Sequence, residues 1–257
     1  MVAPATGVSG APVLEAAGLR KSFGGVRAVN GVSFIVAEGE MLALIGPNGA
    51  GKSTCFNMIG GQLRPDTGQV VLLGRAIAGL APRTVCRMGV GRTFQVTETF
   101  ASMTVRENVQ MALIARARRA WRFWHAAALE ETDEADRLLA QVGLAAQAER
   151  AGGVLAYGDL KRLDLAMALA NEPRLLLMDE PTAGMAPAER GALMYLIRDL
   201  AHRRGLAVLF TEHDMDVVFG VADRILVLNR GELIASGEAE DIRRDPRVRE
   251  VYLGSDA

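Results

Sequence analysis

Gly46-Pro47-Asn48-Gly49-Ala50-Gly51-Lys52-Ser53 is the stretch that decides how this chain is read. It fits the phosphate-cradling pattern G-x-x-x-x-G-K-[ST]. Its surroundings fit as well. Met41–Ile45, Met-Leu-Ala-Leu-Ile, is an apolar run bounded by glycine and predicts a buried strand. Residues 53–59 read as the opening of a helix. Glycines let backbone N–H groups turn inward around an anion with no Cβ in the way. The helix N-terminus adds its positive end at the same spot. Lys52 is then placed to reach terminal phosphates, and the Ser53 hydroxyl to hold a magnesium ion.

The bulk composition narrows the class. The chain has 257 residues, enough for one large domain or one domain carrying an insertion. Half of the residues are hydrophobic, so a sizeable core is available. Lys plus Arg number 29 and Asp plus Glu 30, a balance that argues against a nucleic-acid partner. Two cysteines, Cys55 and Cys86, make no disulfide framework and are expected to be buried thiols in a reducing compartment. No uncharged apolar run reaches the length of a membrane span. Residues 1–12 lack the basic start and apolar stretch of a signal peptide and are expected to form a loose tail. A cytoplasmic protein follows, free to dock on a membrane partner.

Moving outward from the loop, residues 13–73 are β-rich, with strands expected over 29–36 and 69–73. Residues 104–118 carry Val105, Val109, Leu113 and Ile114 at close to helical spacing. Residues 130–142 form a second amphipathic helix, acidic at its start as helix N-termini prefer. Residues 158–170 form a third. After Pro173 the pattern becomes α/β: strands over 175–178 and 206–210, helices over 187–203 and 214–221. Two further strands, 224–228 and 232–235, flank Asn229-Arg230-Gly231, a hairpin signal. A helical block of about 60 residues therefore interrupts an α/β core.

A second group of residues belongs with the loop. Leu175-Leu176-Leu177-Met178-Asp179-Glu180 is an apolar strand ending in two carboxylates. Such an Asp can sit in a Mg²⁺ shell, and the neighbouring carboxylate can activate water. A capped strand end would look the same, but the upstream phosphate loop favours the functional reading. His213 follows the next apolar strand. Parallel-sheet logic puts both strand ends at the ligand-binding edge beside the loop.

These residues, in this order, resemble the ATP-binding subunit of ABC transporters. The ordered set is the phosphate loop, Gln95, Leu155-Ala156-Tyr157-Gly158-Asp159 opening a helix, Asp179-Glu180, residues 181–186 and His213. The resemblance implies a P-loop NTPase ABC cassette: an α/β fold with a RecA-like core, an antiparallel β subdomain and a helical subdomain inserted over about 100–170, all within 13–257. It implies that Phe23 stacks on adenine. Gly46, Pro47, Asn48, Gly49, Ala50, Gly51, Lys52, Ser53 and Thr54 would bind ATP. Ser53, Gln95 and Asp179 would surround Mg²⁺, Glu180 would be the general base, and His213 would contact the γ-phosphate. Leu155, Ala156, Tyr157, Gly158 and Asp159 would close over the nucleotide of a second ATP-binding subunit in a head-to-tail dimer.

Smaller features resemble the branched-chain amino-acid importer branch: Gly91-Arg92-Thr93-Phe94-Gln95, Tyr157-Gly158-Asp159, residues 183–187 and 212–216, and the Val251-Tyr252-Leu253-Gly254 tail. That branch implies membrane permease subunits, a periplasmic solute-binding protein and a place on the inner face of the cell membrane. Urea or amides are alternative solutes. Three positions depart from the general pattern: Ala156 replaces a serine, Asp159 a glutamine and Ala186 an aspartate. They bear on coupling across the dimer, not on Lys52, Asp179 or Glu180. A soluble ABC ATPase would carry coiled-coil arms or tandem cassettes, and no long heptad run is present. A GTPase would need an Asn-Lys-x-Asp-type guanine reader, which is missing.

Overall fold

An antiparallel pair opens the fold, β1 (Pro12–Phe23) and β2 (Val26–Ala37). Gly24 and Gly25 turn the chain between them, both at positive φ. The structure, a computed structural model, describes residues 10–93, 99–116 and 131–253. β4 (Thr67–Leu72) and β5 (Arg75–Ala76) join the pair in a four-stranded sheet of order β2-β1-β4-β5.

The second sheet carries the phosphate loop. Its six strands run in the order β10-β9-β3-β8-β7-β6. They are β3 (Met41–Ile45), β6 (Val90–Thr93), β7 (Leu175–Asp179), β8 (Ala207–Thr211), β9 (Arg224–Asn229) and β10 (Glu232–Gly237). β6, β7, β8, β3 and β9 pair in parallel, and β10 closes one edge as an antiparallel hairpin with β9. Successive strand side chains point to opposite faces. Accordingly Met41, Ala43 and Ile45 pack into one core with Leu176, Met178, Val208 and Phe210. Leu42 and Leu44 pack into a second core with Leu175, Leu177, Leu209 and the β1–β2 sheet. Burial on both faces is why these strands read as unbroken apolar runs rather than alternating ones.

Helix α1 (Lys52–Ile59) leaves the loop, and α2 (Pro82–Arg87) precedes β6. Between β6 and β7 lie α3 (Val105–Arg116), α4 (Thr132–Gln141) and α5 (Tyr157–Leu169), which pack on one another. α3 contributes Val105, Val109 and Leu113 to the buried face and α4 Ala135, Leu138 and Leu139. α6 (Pro187–Arg204) links β7 to β8, and α7 (Met215–Val221) links β8 to β9. The expected elements form, with ends displaced by one to three residues, and the expected helix ends at 117–118 and 130 lie outside the described residues.

Three results go beyond the sequence reading or correct it. Cys55 is buried, but Cys86 is exposed on α2. That short helix presents only Val85 inward, so its thiol faces outward. The C-terminal helices α8 (Ala239–Arg244) and α9 (Pro246–Leu253) had no sequence expectation. Half of their residues are charged, and the apolar anchors Ile242 and Val248 hold them to the core. The expected tail over residues 1–12 begins outside the described residues, and β1 starts at Pro12. Both tryptophans also lie outside them.

Candidate active site

The loop after β3 is shaped by two glycines that nothing larger could replace. Gly46 has φ +155, and a Cβ there would stand 2.1 Å from the Leu228 carbonyl oxygen. Gly51 has φ +106, and its Cβ would stand 2.3 Å from the Ala28 carbonyl oxygen. The β9–β10 turn braces the loop from behind. Arg230 and Gly231 both take positive φ, as a tight two-residue hairpin requires. From that turn the Gly231 N–H donates to the Ala50 carbonyl at 2.9 Å. The Tyr252 hydroxyl on α9 accepts from the Gly46 N–H, and burial pushes its pKa up to about 12.

Lys52 is buried and donates from Nζ to the Gly46 and Pro47 carbonyls at 2.7 and 3.2 Å. Burial lowers its pKa, and the carboxylates of Glu180 and Asp179 oppose that shift. A cleft of about 310 Å³ is lined by Phe23, Ala28, residues 48–54 and Glu180. Phe23 is half exposed at the rim, as a stacking surface must be. A larger cavity of about 530 Å³ lies between the two sheets, away from the loop. Its arginines are engaged elsewhere: Arg224 binds Glu40 and Arg247 binds Asp245. The phosphate cleft, not the larger cavity, holds the reactive groups.

β7 and β8 end side by side at this cleft because they are parallel and in register, Asp179 opposite Thr211. The Thr211 hydroxyl donates to Asp179 Oδ1 at 2.7 Å. The Glu180 N–H donates to the Thr211 hydroxyl and carbonyl at 3.1 and 3.2 Å. These bonds hold Glu180 at φ +52, a conformation that a non-glycine residue adopts only when its surroundings fix it. His213 Nε2 lies 2.8 Å from Glu180 Oε1. Glu212, buried at 5 % exposure, accepts the Thr182 N–H at 2.8 Å and so ties the turn after Glu180 to the β8 end. Thr211 and Glu212 are given no site role by the sequence, where no spacing marks one. Only strand register reveals their partners.

The Ser53 hydroxyl is exposed at the start of α1, and Asp179 supplies a carboxylate. Hydroxyl and carboxylate oxygens are the hard donors that Mg²⁺ takes. These residues therefore fit the ion. Gln95 falls outside the described residues.

The segment Leu155–Asp159 does not line the cleft. Ala156 caps α5 without a side-chain hydrogen bond and leaves the helix start exposed. Tyr157 packs on Gly184, where a Cβ would sit 3.2 Å from its ring. Asp159 accepts from Gln147 Nε2 at 2.7 Å, so its carboxylate serves its own chain. Ala186 caps α6 and is exposed.

A parallel sheet with a glycine loop at one strand end and paired carboxylates at another defines a P-loop ATPase cassette. The family described as ABC transporter matches residues 29–183, and that described as branched-chain amino acid ATP-binding cassette transporter matches residues 232–257. The chain belongs to the ABC transporter ATP-binding family. It is 41% identical to the high-affinity branched-chain amino acid transport ATP-binding protein LivG of Salmonella typhimurium, over 95% of this chain and 98% of that protein. It is 40% identical to the corresponding BraF of Pseudomonas aeruginosa over the same shares. Among solved structures, a nucleotide-free ATP-binding cassette from an ABC transporter superposes with TM-score 0.83 at 30% identity, covering 95% of this chain and all of that one. A cassette in its ADP conformation gives TM-score 0.83 at 29% identity with the same coverage.

Proposed function

We propose that this chain is the ATP-hydrolysing subunit of an importer for branched-chain amino acids. The contact between Glu180 and His213, at the strand edge that also carries the phosphate loop, is the observation that carries the reading. A carboxylate accepts on two oxygens, and the exposed imidazole meets Glu180 at Oε1, which orients the group beside the phosphate cleft.

The loop N–H groups and the α1 N-terminus bind the phosphates, and Lys52 swings from the Gly46 carbonyl to the terminal pair. Ser53, Asp179 and Gln95 are the residues that would hold Mg²⁺, which neutralises phosphate charge when bound. Glu180 takes a proton from water as that oxygen bonds to the γ-phosphorus. The bond from phosphorus to the bridging oxygen then breaks, and ADP keeps the electron pair. His213 orients Glu180 and reaches the γ-phosphate. Phe23 stacks on the adenine.

Residues 155–159 of a second subunit complete the site in a head-to-tail dimer. With Ala156 in place of serine, backbone N–H groups at the α5 start contact the partner's nucleotide. Each nucleotide gains contacts only in the closed dimer, so ATP shifts the open–closed equilibrium by its differential affinity.

Residues 13–257 act as one ATP-binding domain, with 100–170 as the helical insertion. Membrane permease subunits dock at a groove of about 390 Å³ between α2, β6 and the helical insertion, walled by Phe100, Met167 and Arg92. Phe100 is half exposed there. Among the described residues no helix is long and apolar enough to cross a membrane. Attachment at the inner face of the membrane therefore runs through the permeases, with a periplasmic binding protein delivering solute on the far side. Reconstitution with branched-chain amino-acid permease subunits tests the reading. ATP-dependent leucine uptake is expected, and uptake of urea or amides in its place would overturn the solute assignment.

A further inference from the structure

Arg92 stands on β6, three residues before Gln95, with its side chain only 16% exposed. Its guanidinium meets three parts of the molecule. Nη1 and Nη2 both donate to Asn57 Oδ1 at 3.1 Å. Asn57 lies four residues beyond Ser53 on α1, so the two share a helix face. Nη2 also stands 4.0 Å from Asp179 Oδ2. The other oxygen of that carboxylate is held by Thr211, so Arg92 and Thr211 bracket Asp179 from two sides. Finally, Arg92 is part of the wall of the permease-facing groove, together with Phe100 and Asp164.

The surroundings are built around this side chain. Gly60 ends α1 with an ordinary helical backbone, so its conformation does not call for glycine. A Cβ there would come within 3.2 Å of Arg92 Nη1 and 2.4 Å of Gln62 Oε1. Glycine at that position leaves room for the guanidinium. A lysine could not replace it. A lysine offers one nitrogen, whereas the planar fork sets both Nη1 and Nη2 on Asn57 Oδ1 while Nη2 faces Asp179.

We propose that Arg92 is a positioning residue that links the permease groove to the Mg²⁺-holding carboxylate of Asp179. A permease segment seated in the groove presses on the guanidinium. The push passes to Asp179 directly and to the Ser53 face of α1 through Asn57. Partners that orient a metal-binding carboxylate typically set metal affinity by about tenfold or more. Groove occupancy thereby tunes the metal site with no contact to nucleotide. This rests on the assignment of Mg²⁺ to Asp179 and of the groove to the permeases.

The test reads two quantities that a merely structural arginine would leave alone. The first is the gain in ATP affinity on adding Mg²⁺, measured by calorimetry in the Glu180→Gln background, where turnover does not interfere. The second is the stimulation of ATPase rate when the subunit joins its permeases, with Glu180 intact. Arg92→Gln is expected to cut the Mg²⁺-dependent gain about tenfold, to leave Mg²⁺-free ATP affinity unchanged and to lower the stimulation. Arg92→Lys keeps the charge but not the fork. It is expected to retain most of the Mg²⁺ gain and lose stimulation, and it serves as the working variant if Arg92→Gln melts early. Wild-type stimulation in Arg92→Lys, or a wild-type Mg²⁺ gain in folded Arg92→Gln, overturns the proposal. Asp179→Asn runs alongside. If it keeps the Mg²⁺-dependent gain, the metal assignment itself has failed, which is a separate result.

Discussion

His213 Nε2 sits 2.8 Å from Glu180 Oε1, across the ends of two parallel strands that are neighbours in the sheet. The contact fixes where the Glu180 carboxylate points. Residue 180 also carries φ +52, fixed by the bonds of its N–H to Thr211. Orientation thus comes from the backbone and the imidazole together.

Glu180→Gln keeps the shape of the side chain and removes its basicity. Turnover is expected to fall by about 10²–10⁴ while ATP still binds. A dimer loaded with ATP should accumulate on a sizing column. Normal phosphate release from this variant would remove Glu180 from the role of base.

Lys52 supplies a pH signature. Burial lowers its pKa from the ordinary 10.5 in the free protein, against the pull of Glu180 and Asp179. A triphosphate in contact with Nζ raises it again. In the window just below 10.5 the loaded protein therefore holds more protons than the free one. Binding takes up protons there, and affinity falls as pH rises through the depressed value. Calorimetry at about pH 9.5 in buffers of different ionisation enthalpy should show the uptake. Lys52→Arg stays charged and should abolish it. A binding heat independent of buffer in the wild-type protein contradicts this account.

Gly46→Ala tests the brace behind the loop. Its Cβ would meet the Leu228 carbonyl at 2.1 Å, so the loop or β9 must shift. Overpacking of this kind costs roughly 1–3 kcal/mol, a fall of several degrees in Tm for a domain of this size. ATP affinity should drop as well. Unchanged melting and binding would mean that the loop is not pinned against β9.

Phe100→Ala probes the groove. An exposed aromatic at the centre of an interface commonly contributes more than 1 kcal/mol. Permease capture in a pull-down should weaken by about tenfold, with the ATPase rate of the isolated subunit unaltered. Full capture by this variant would place the docking surface elsewhere.

Much of this molecule was legible in the chain itself. Met41–Ile45, Leu175–Asp179 and Ala207–Thr211 announce themselves as buried parallel strands because both of their faces are covered and all but the site-facing ends, Asp179 and Thr211, are apolar. The phosphate loop is legible because backbone wrapped round an anion demands glycine at fixed spacing, a local requirement. Cys86 and the two C-terminal helices were not legible. Their placement depends on which few apolar side chains find a neighbour, and charged sequences such as Arg243-Arg244 carry no period.

The amino-acid sequence by itself determined the loop and the strands, since each follows from contacts within a few residues, and the order of motifs along the chain pointed to the candidate site side chains. The tertiary structure alone decided that Thr211 holds Asp179, that Glu212 ties down the turn at Thr182 and that Arg92 spans Asn57 and Asp179. These are links across 30 or more residues. They exist only once parallel strands align, and strand register is a property of the whole sheet that no local pattern encodes.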